Sequence, residues 1–124
     1  MTIEDCYRQL GGDYSEVLKR MMSRKLVKKF IGRFLEDDSF EKLCTGISEN
    51  NREEAFRAAH TLKGICLNLG FDMLSVSTGT LVEVLRPEGE GIPEEAAPML
   101  EEVRKDFVKT TDAIRLFLET DTEE

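Results

Sequence analysis

The sequence predicts an all-α protein, an up-and-down four-helix bundle with one or two short additional N-terminal helices. Apolar residues recur at intervals of three and four along several stretches, and no stretch alternates as a β-strand would. The chain is 40% hydrophobic and 34% charged, with three prolines, as in helical globular domains. Its 124 residues can enclose one core. We therefore expect a single domain over residues 1–124, with the bundle at about 24–119 and a frayed polar tail at 120–124.

Capping residues and helix breakers divide the chain into seven helical stretches. The predicted helices cover residues 3–10, 14–22, 24–36, 40–49, 52–69, 73–86 and 94–119. The residues expected to cap their N-termini are Thr2, Asp13, Ser23, Asp38, Asn51 and Asp72. Residues 37–39 interrupt the pattern, and the sequence leaves open whether the helices on either side form one kinked helix. Residues 87–93, with two prolines and two glycines, are predicted to form a loop.

Charge and composition exclude several function classes. The net charge of −8 disfavours nucleic-acid binding, which needs clustered Lys and Arg. No apolar run approaches the ~20 residues of a membrane span, and no signal peptide is recognisable at the N-terminus. The spacing of Cys6, Cys44 and Cys66 fits neither a disulfide framework nor a zinc site. We expect a cytoplasmic monomer with reduced thiols and no contact with a membrane.

The helix at 52–69 carries the only histidine, His60. At about 100° per residue, Phe56, Lys63, Gly64 and Leu67 lie within about 60° of His60 on the helix surface. The opposite side of this helix forms an ordinary core stripe of Ala55, Ala58, Leu62, Ile65, Cys66 and Leu69. The pattern predicts an exposed histidine at the centre of a small apolar surface where another protein could dock.

Residues 58–70 read Ala-Ala-His-Thr-Leu-Lys-Gly-Ile-Cys-Leu-Asn-Leu-Gly. This stretch resembles the signature of histidine-containing phosphotransfer (HPt) domains, which is His-x-x-Lys-Gly on a helix, preceded by Ala and followed by a second Gly ten positions after the His. The matching residues are Ala59, His60, Leu62, Lys63, Gly64 and Gly70. The resemblance extends over roughly residues 10–120 and includes the segment Phe34–Asp37 and the apolar pattern from Met73 to Leu85.

The resemblance implies a phosphorelay intermediate in two-component signal transduction. It implies that His60 is the phosphoacceptor, that Lys63 offsets the phosphoryl charge and that Gly64 gives steric access. The implied partners are response-regulator receiver domains and a sensor histidine kinase, with Mg²⁺ on the receiver and no cofactor on this chain. The candidate partner-binding residues are Phe56, Leu67, Arg57 and Phe34.

The residues themselves point to a carrier and away from an enzyme. One histidine cannot form a His-rich metal site, and no pattern in the sequence identifies the two partners that a catalytic triad would need. No Gly-rich loop follows a predicted strand, as a loop that binds ATP phosphates would. A neutral imidazole is nonetheless a good nucleophile near pH 7.

Four alternatives stay open at this stage. The chain could be a docking module that is never phosphorylated, or a fragment of a larger sensor kinase. The short N-terminal helices could cover Phe56 and Leu67, and Phe34 could belong to the core alone. Where some HPt domains place a glutamine that hydrogen-bonds the histidine ring, this chain has Val82 and Glu83, so the orienting partner of the ring is not identified.

Overall fold

The computed structural model describes residues 1–86 and 89–122, and within them the chain forms seven helices and no strand. The helices are α1 (Ile3–Gln9), α2 (Tyr14–Met21), α3 (Arg24–Phe34), α4 (Ser39–Ser48), α5 (Arg52–Leu69), α6 (Asp72–Leu85) and α7 (Ala96–Thr120). The predicted all-α fold class is confirmed. No helix in the described part of the chain is long and apolar enough to cross a membrane.

The bundle has four helical positions, and the successive helices α3 and α4 together occupy the first of them. The α3 helix packs against α5 and α7, while α4 packs against α5 and reaches α7 where Phe40 stacks on Phe107 with ring centroids 4.4 Å apart. The helices α5, α6 and α7 occupy the other three positions, where α5 packs against α6 and α6 against α7. The question left open at residues 37–39 is thereby answered: α3 and α4 are separate helices, broken by four non-helical residues.

The short helices α1 and α2 brace one end of the bundle. The buried Tyr7 hydroxyl donates a hydrogen bond of 2.7 Å to the carbonyl of Leu69, the last residue of α5. The amide of Met73, in the first turn of α6, donates to the carbonyl of Leu10 at 3.1 Å. Because these bonds hold both sides of the α5–α6 turn, they fix the end of the helix that carries His60.

The residues that the sequence predicts at the two ends of α5 do cap this helix. Asn51 accepts a hydrogen bond from the amide of Glu54 at 3.1 Å, as its position predicts. Gly70 ends the helix in the left-handed conformation, with φ of 74°, where glycine avoids the strain of a Cβ. A Cβ at Gly70 would also collide with Val17 of α2, so this glycine is needed for packing as well as for the turn.

Two residues predicted to cap helices form no capping hydrogen bond: Asp38 stands at the N-cap position of α4, and Asp72 lies inside α6. Asp38 makes no side-chain cap on α4; the amide of Ser39 donates instead to the Asp37 carboxylate at 2.9 Å. Asp72 is itself the first residue of α6, and its predecessor Phe71 has no side chain able to cap. The helix α7 starts at Ala96, two residues later than predicted, and accommodates Pro98 in its first turn, where an amide needs no helical partner.

The chain beyond α7 is better ordered than its polar sequence suggests. The carboxylate of Asp121 is 6% exposed and forms ion pairs with Arg24 at 2.7 Å and Lys28 at 2.8 Å. The expectation of a frayed tail is therefore wrong at Asp121, because its charge is held against α3. Residues 89–93 are non-helical, as predicted. The rest of the predicted loop (Pro87 and Glu88) and the end of the tail (Glu123 and Glu124) lie outside the described residues.

Candidate functional site: the exposed face of α5

The helix α5 presents His60 to solvent. His60 and Gly64 are exposed, Leu67 is 55% exposed, and Phe56 and Lys63 are half-buried. On the opposite side five of the six residues predicted for the core are buried, namely Ala55, Ala58, Leu62, Cys66 and Leu69, and Ile65 is half-buried against them. The rotation of the helix that the sequence predicts is therefore confirmed.

Phe56 forms one wall beside the His60 ring. The two rings are nearly parallel, 12° apart, with centroids separated by 5.9 Å. The guanidinium of Arg86 lies over Phe56 at 5.8 Å from the ring centroid. Leu67 keeps more than half of its surface. Part of Phe56 is thus covered by a side chain from the end of α6. Of the short N-terminal helices, α2 reaches the backbone of Leu67 through a hydrogen bond of 3.3 Å from Arg20, but it leaves more than half of the Leu67 side chain exposed.

Arg52 fixes the position of Arg86. At the start of α5 it donates to the backbone carbonyls of Arg86 (3.0 Å) and Val84 (3.3 Å), which the end of α6 leaves without helical partners. The Arg86 side chain in turn donates to both carboxylate oxygens of Glu83, at 2.7 and 2.9 Å. This arrangement holds Arg86 at the level of Phe56. Sequence reasoning missed Arg86, although its three-residue spacing from Glu83 is typical of a helical ion pair.

Lys63 extends along α6 and not straight into solvent. A Cβ added at Gly79 would lie 3.4 Å from its Cε and 3.7 Å from its Nζ. The absence of a side chain at Gly79 therefore gives the Lys63 stem a surface to lie on. This places the ammonium group against α6 beside Gly79, and its proposed role toward a phosphoryl group remains a prediction.

Gly64 differs from the other glycines inside helices. A Cβ at Gly46 would lie 2.7 Å from the amide nitrogen of Ala55, so α4 and α5 require glycine there. A Cβ at Gly32 or Gly79 would touch a neighbouring side chain. A Cβ at Gly64 would meet no atom within 4 Å. Glycine costs about 1 kcal/mol relative to alanine inside a helix, and at Gly64 no packing requirement explains that cost.

The two remaining candidate residues have different positions. Arg57 is exposed, one turn before His60, and pairs with Glu53 at 2.9 Å and Glu54 at 2.7 Å on its own helix. Phe34 is 3% exposed, and its ring packs edge-on against Phe71 at 5.0 Å. The prediction that Phe34 belongs to an exposed partner surface is wrong, because it continues the inward stripe of α3 into the core.

No protein group orients the His60 ring by a hydrogen bond among those recorded for residues 1–86 and 89–122. Val82 is buried, at 1% exposure, while Glu83 faces solvent. Hydrogen bonds from Arg86 lower the pKa of Glu83, and the charges of Arg86 and Lys63 add to this shift. Both cations therefore favour the ionised form of this carboxylate. Within the described residues no group of three or more His, Cys, Asp or Glu is arranged to hold a metal ion.

Comparison with known proteins identifies a family. The family model for the Hpt domain matches residues 26–119, from the first turn of α3 to the last turn of α7, and omits α1 and α2. Neither the search of curated proteins nor that of solved structures found a match. Hpt domains are carriers in histidine-containing phosphotransfer, and they interact with receiver domains and histidine kinases of two-component phosphorelays. With its matched helical bundle and its exposed histidine on α5, this chain belongs to the Hpt domain family.

Proposed function

We propose that this protein is a phosphorelay intermediate that accepts a phosphoryl group on His60 from a phospho-aspartyl receiver domain, or from a kinase, and passes it to another receiver aspartate. The observation that carries the proposal is the open surface around His60. The ring is exposed and stacked on Phe56, and one turn away Gly64 leaves open space: a Cβ there would have no neighbour within 4 Å in the described part of the chain outside α5.

The transfer needs one nucleophilic nitrogen. The lone pair of His60 Nε2 attacks the phosphorus of the acyl phosphate, the bond from phosphorus to the aspartate oxygen breaks, and the carboxylate leaves with that electron pair. The Nδ1 proton stays on the ring or passes to water. The return step reverses these bonds on the second receiver. Since an aspartyl phosphate is already activated, the chain has to supply position and access more than catalytic groups.

The surroundings of His60 fit this division of labour. Lys63 lies one turn after His60, whereas Arg57, one turn before it, is already paired with Glu53 and Glu54. We therefore assign Lys63 the offset of phosphoryl charge. The receiver supplies Mg²⁺, the usual charge clamp in phosphoryl transfer. Exposed Leu67 and Arg57, with the accessible edge of Phe56, provide apolar and polar contacts for the docked receiver on both sides of the ring.

The experiment is transfer from a receiver domain charged with labelled acetyl phosphate, in the presence of Mg²⁺, to the wild-type chain and to His60→Gln. The receiver is chosen from a panel by measured binding to the unphosphorylated chain. We expect acid-labile, base-stable label on the wild type and none on the variant. Equal folding of the two proteins, measured by circular dichroism, excludes a structural explanation because His60 is exposed.

A docking module without phosphotransfer is the second candidate. The absence of a hydrogen bond to the ring among the described residues favours it, since stacking on Phe56 alone does not select the tautomer that presents Nε2 for attack. This candidate predicts receiver binding by both proteins and label on neither.

A further inference from the structure

Two cations on the α6 side of His60 act on one carboxylate, that of Glu83. Lys63, after His60 on α5, lies across α6 at Gly79. Arg86, at the end of α6, lies over Phe56 and donates two hydrogen bonds to Glu83. Glu83 is four residues after Gly79 and three before Arg86, so all three positions share one face of α6.

The register of α5 and α6 places this carboxylate beside His60. The contacts Lys63–Gly79 and Phe56–Arg86 are separated by seven residues along α5 and by seven along α6 and its C-cap residue, Arg86. Two such contacts define antiparallel helices in constant register, and the residues of α6 opposite His60 are then those at 82–83. Val82 is buried, so Glu83 is the residue that reaches the surface at the level of the ring.

We propose that Glu83 sets the phosphoryl-transfer potential of His60 by competing with the phosphoryl group for Lys63 and Arg86. The inference rests on the proposed function. In the unphosphorylated protein Glu83 neutralises Arg86 through both carboxylate oxygens. A phosphoryl group brings close to two negative charges at neutral pH. It attracts the same cations and is repelled by the carboxylate that already binds them.

The competition between Glu83 and the phosphoryl group favours transfer from His60 to the receiver. In that step the Nε2–P bond breaks, a P–O bond forms on the receiver aspartate, and the imidazole keeps the electron pair of the broken bond. Glu83 forms no bond in the reaction, so it is a positioning residue that acts through charge. It raises the free energy of the phosphorylated chain and leaves that of the receiver unchanged, which shifts the equilibrium toward the receiver.

The test measures the equilibrium constant of phosphoryl exchange between this protein and a receiver domain that binds it, with Mg²⁺, for the wild type and Glu83→Gln. The matched control is Glu101→Gln. Glu101 pairs with Arg104 at the same three-residue spacing, is 69% exposed against 59% for Glu83, and lies on α7, where Arg104 contacts Phe40. Both variants add one unit of charge and remove one exposed ion pair.

We expect Glu83→Gln to shift the equilibrium toward phosphorylated His60 by about two- to fivefold at low salt, as for one unit charge at close range near a protein surface. The shift shrinks at 0.5 M salt because ions screen exposed charges. Glu83→Asp, which keeps the charge, stays near the wild type, and the control does not shift. A purely structural role of Glu83 would produce no such dependence on charge and salt.

The outcomes separate the two proposals. If the wild type takes no phosphoryl group from a receiver that binds it, the proposed function fails and the role of Glu83 with it. If the wild type and Glu83→Gln are both phosphorylated with the same equilibrium constant, or if the shift is toward the receiver, the role of Glu83 alone is overturned. An equal shift in Glu101→Gln would reduce the effect to net charge and also overturn it.

Discussion

Substitutions at Gly64 separate access to His60 from the stability of α5. A Cβ at this exposed position would meet no atom within 4 Å, so alanine fits without rearrangement. Alanine also removes the helix cost of glycine, about 1 kcal/mol. For a domain of this size, we expect Gly64→Ala to raise the melting temperature by roughly 4 °C. Thermal unfolding followed by circular dichroism measures the change.

Glutamine at the same position distinguishes fold from function. Its helix propensity is close to that of alanine, so Gly64→Gln should also be at least as stable as the wild type. Its side chain, however, extends into the space beside His60 that a receiver has to enter. We expect phosphoryl transfer from a charged receiver to fall at least tenfold in Gly64→Gln and to change little in Gly64→Ala.

Gly46→Ala is the matched control for a glycine that the fold requires. Its Cβ would lie 2.7 Å from the nitrogen and 2.9 Å from the Cα of Ala55, so α4 and α5 have to separate. We expect a loss of about 1–3 kcal/mol of stability, as for overpacking of a tight interface. Wild-type transfer by Gly64→Gln would refute the steric argument, and a destabilised Gly64→Ala would show that α5 needs this glycine for folding.

Three further predictions concern the neighbours of His60 and the core. Leu67→Ala should weaken receiver binding about fivefold and lower the free energy of unfolding by under about 0.5 kcal/mol, because Leu67 is exposed. Phe56→Ala should weaken binding too and lower the free energy of unfolding by about 2 kcal/mol, because Phe56 is half-buried. Calorimetry measures binding and urea unfolding measures stability; an equal loss of stability in the two variants would contradict the difference in burial. Lys63→Ala should shift phosphoryl exchange toward the receiver, measured as the equilibrium constant, and no shift would remove Lys63 from the mechanism. At pH 8 half-buried Cys44 should react with iodoacetamide before Cys66, which is buried and whose thiol pKa burial raises to about 12. Mass spectrometry after partial labelling measures the two rates, and equally fast reaction of Cys66 would contradict the prediction.

Local signals made the fold and the orientation of α5 predictable. Asn51 and Gly70 fix the two ends of α5 through bonds and conformations that involve only nearby residues. The angle of 100° per residue then decides which side chains accompany His60, whatever packs on the other side. The apolar stripe on the opposite side of the helix then turns His60 and Gly64 outward.

Contacts between helices could not be predicted from the sequence, because they depend on how one helix is aligned along its neighbour. Nothing in the sequence places Arg86 over Phe56 or the Lys63 stem across Gly79, since both require the alignment of α5 with α6. The burial of Phe34 depends on α7 and the chain after α5, which supply its aromatic neighbours.

Composition can also mislead, as Asp121 illustrates. A polar residue after the last helix is ordinarily solvated, but two cations of α3 bind this one.

The most direct test of the central claim is a chase of phosphorylated His60. The labelled chain is isolated from its donor, and a fresh, unphosphorylated receiver domain is added with Mg²⁺. The account predicts that label leaves His60 and appears on the receiver aspartate, and that the fraction transferred is lower in Glu83→Gln than in the wild type. Label that stays on the chain, or that is released only as inorganic phosphate while the receiver binds, would contradict the role of carrier.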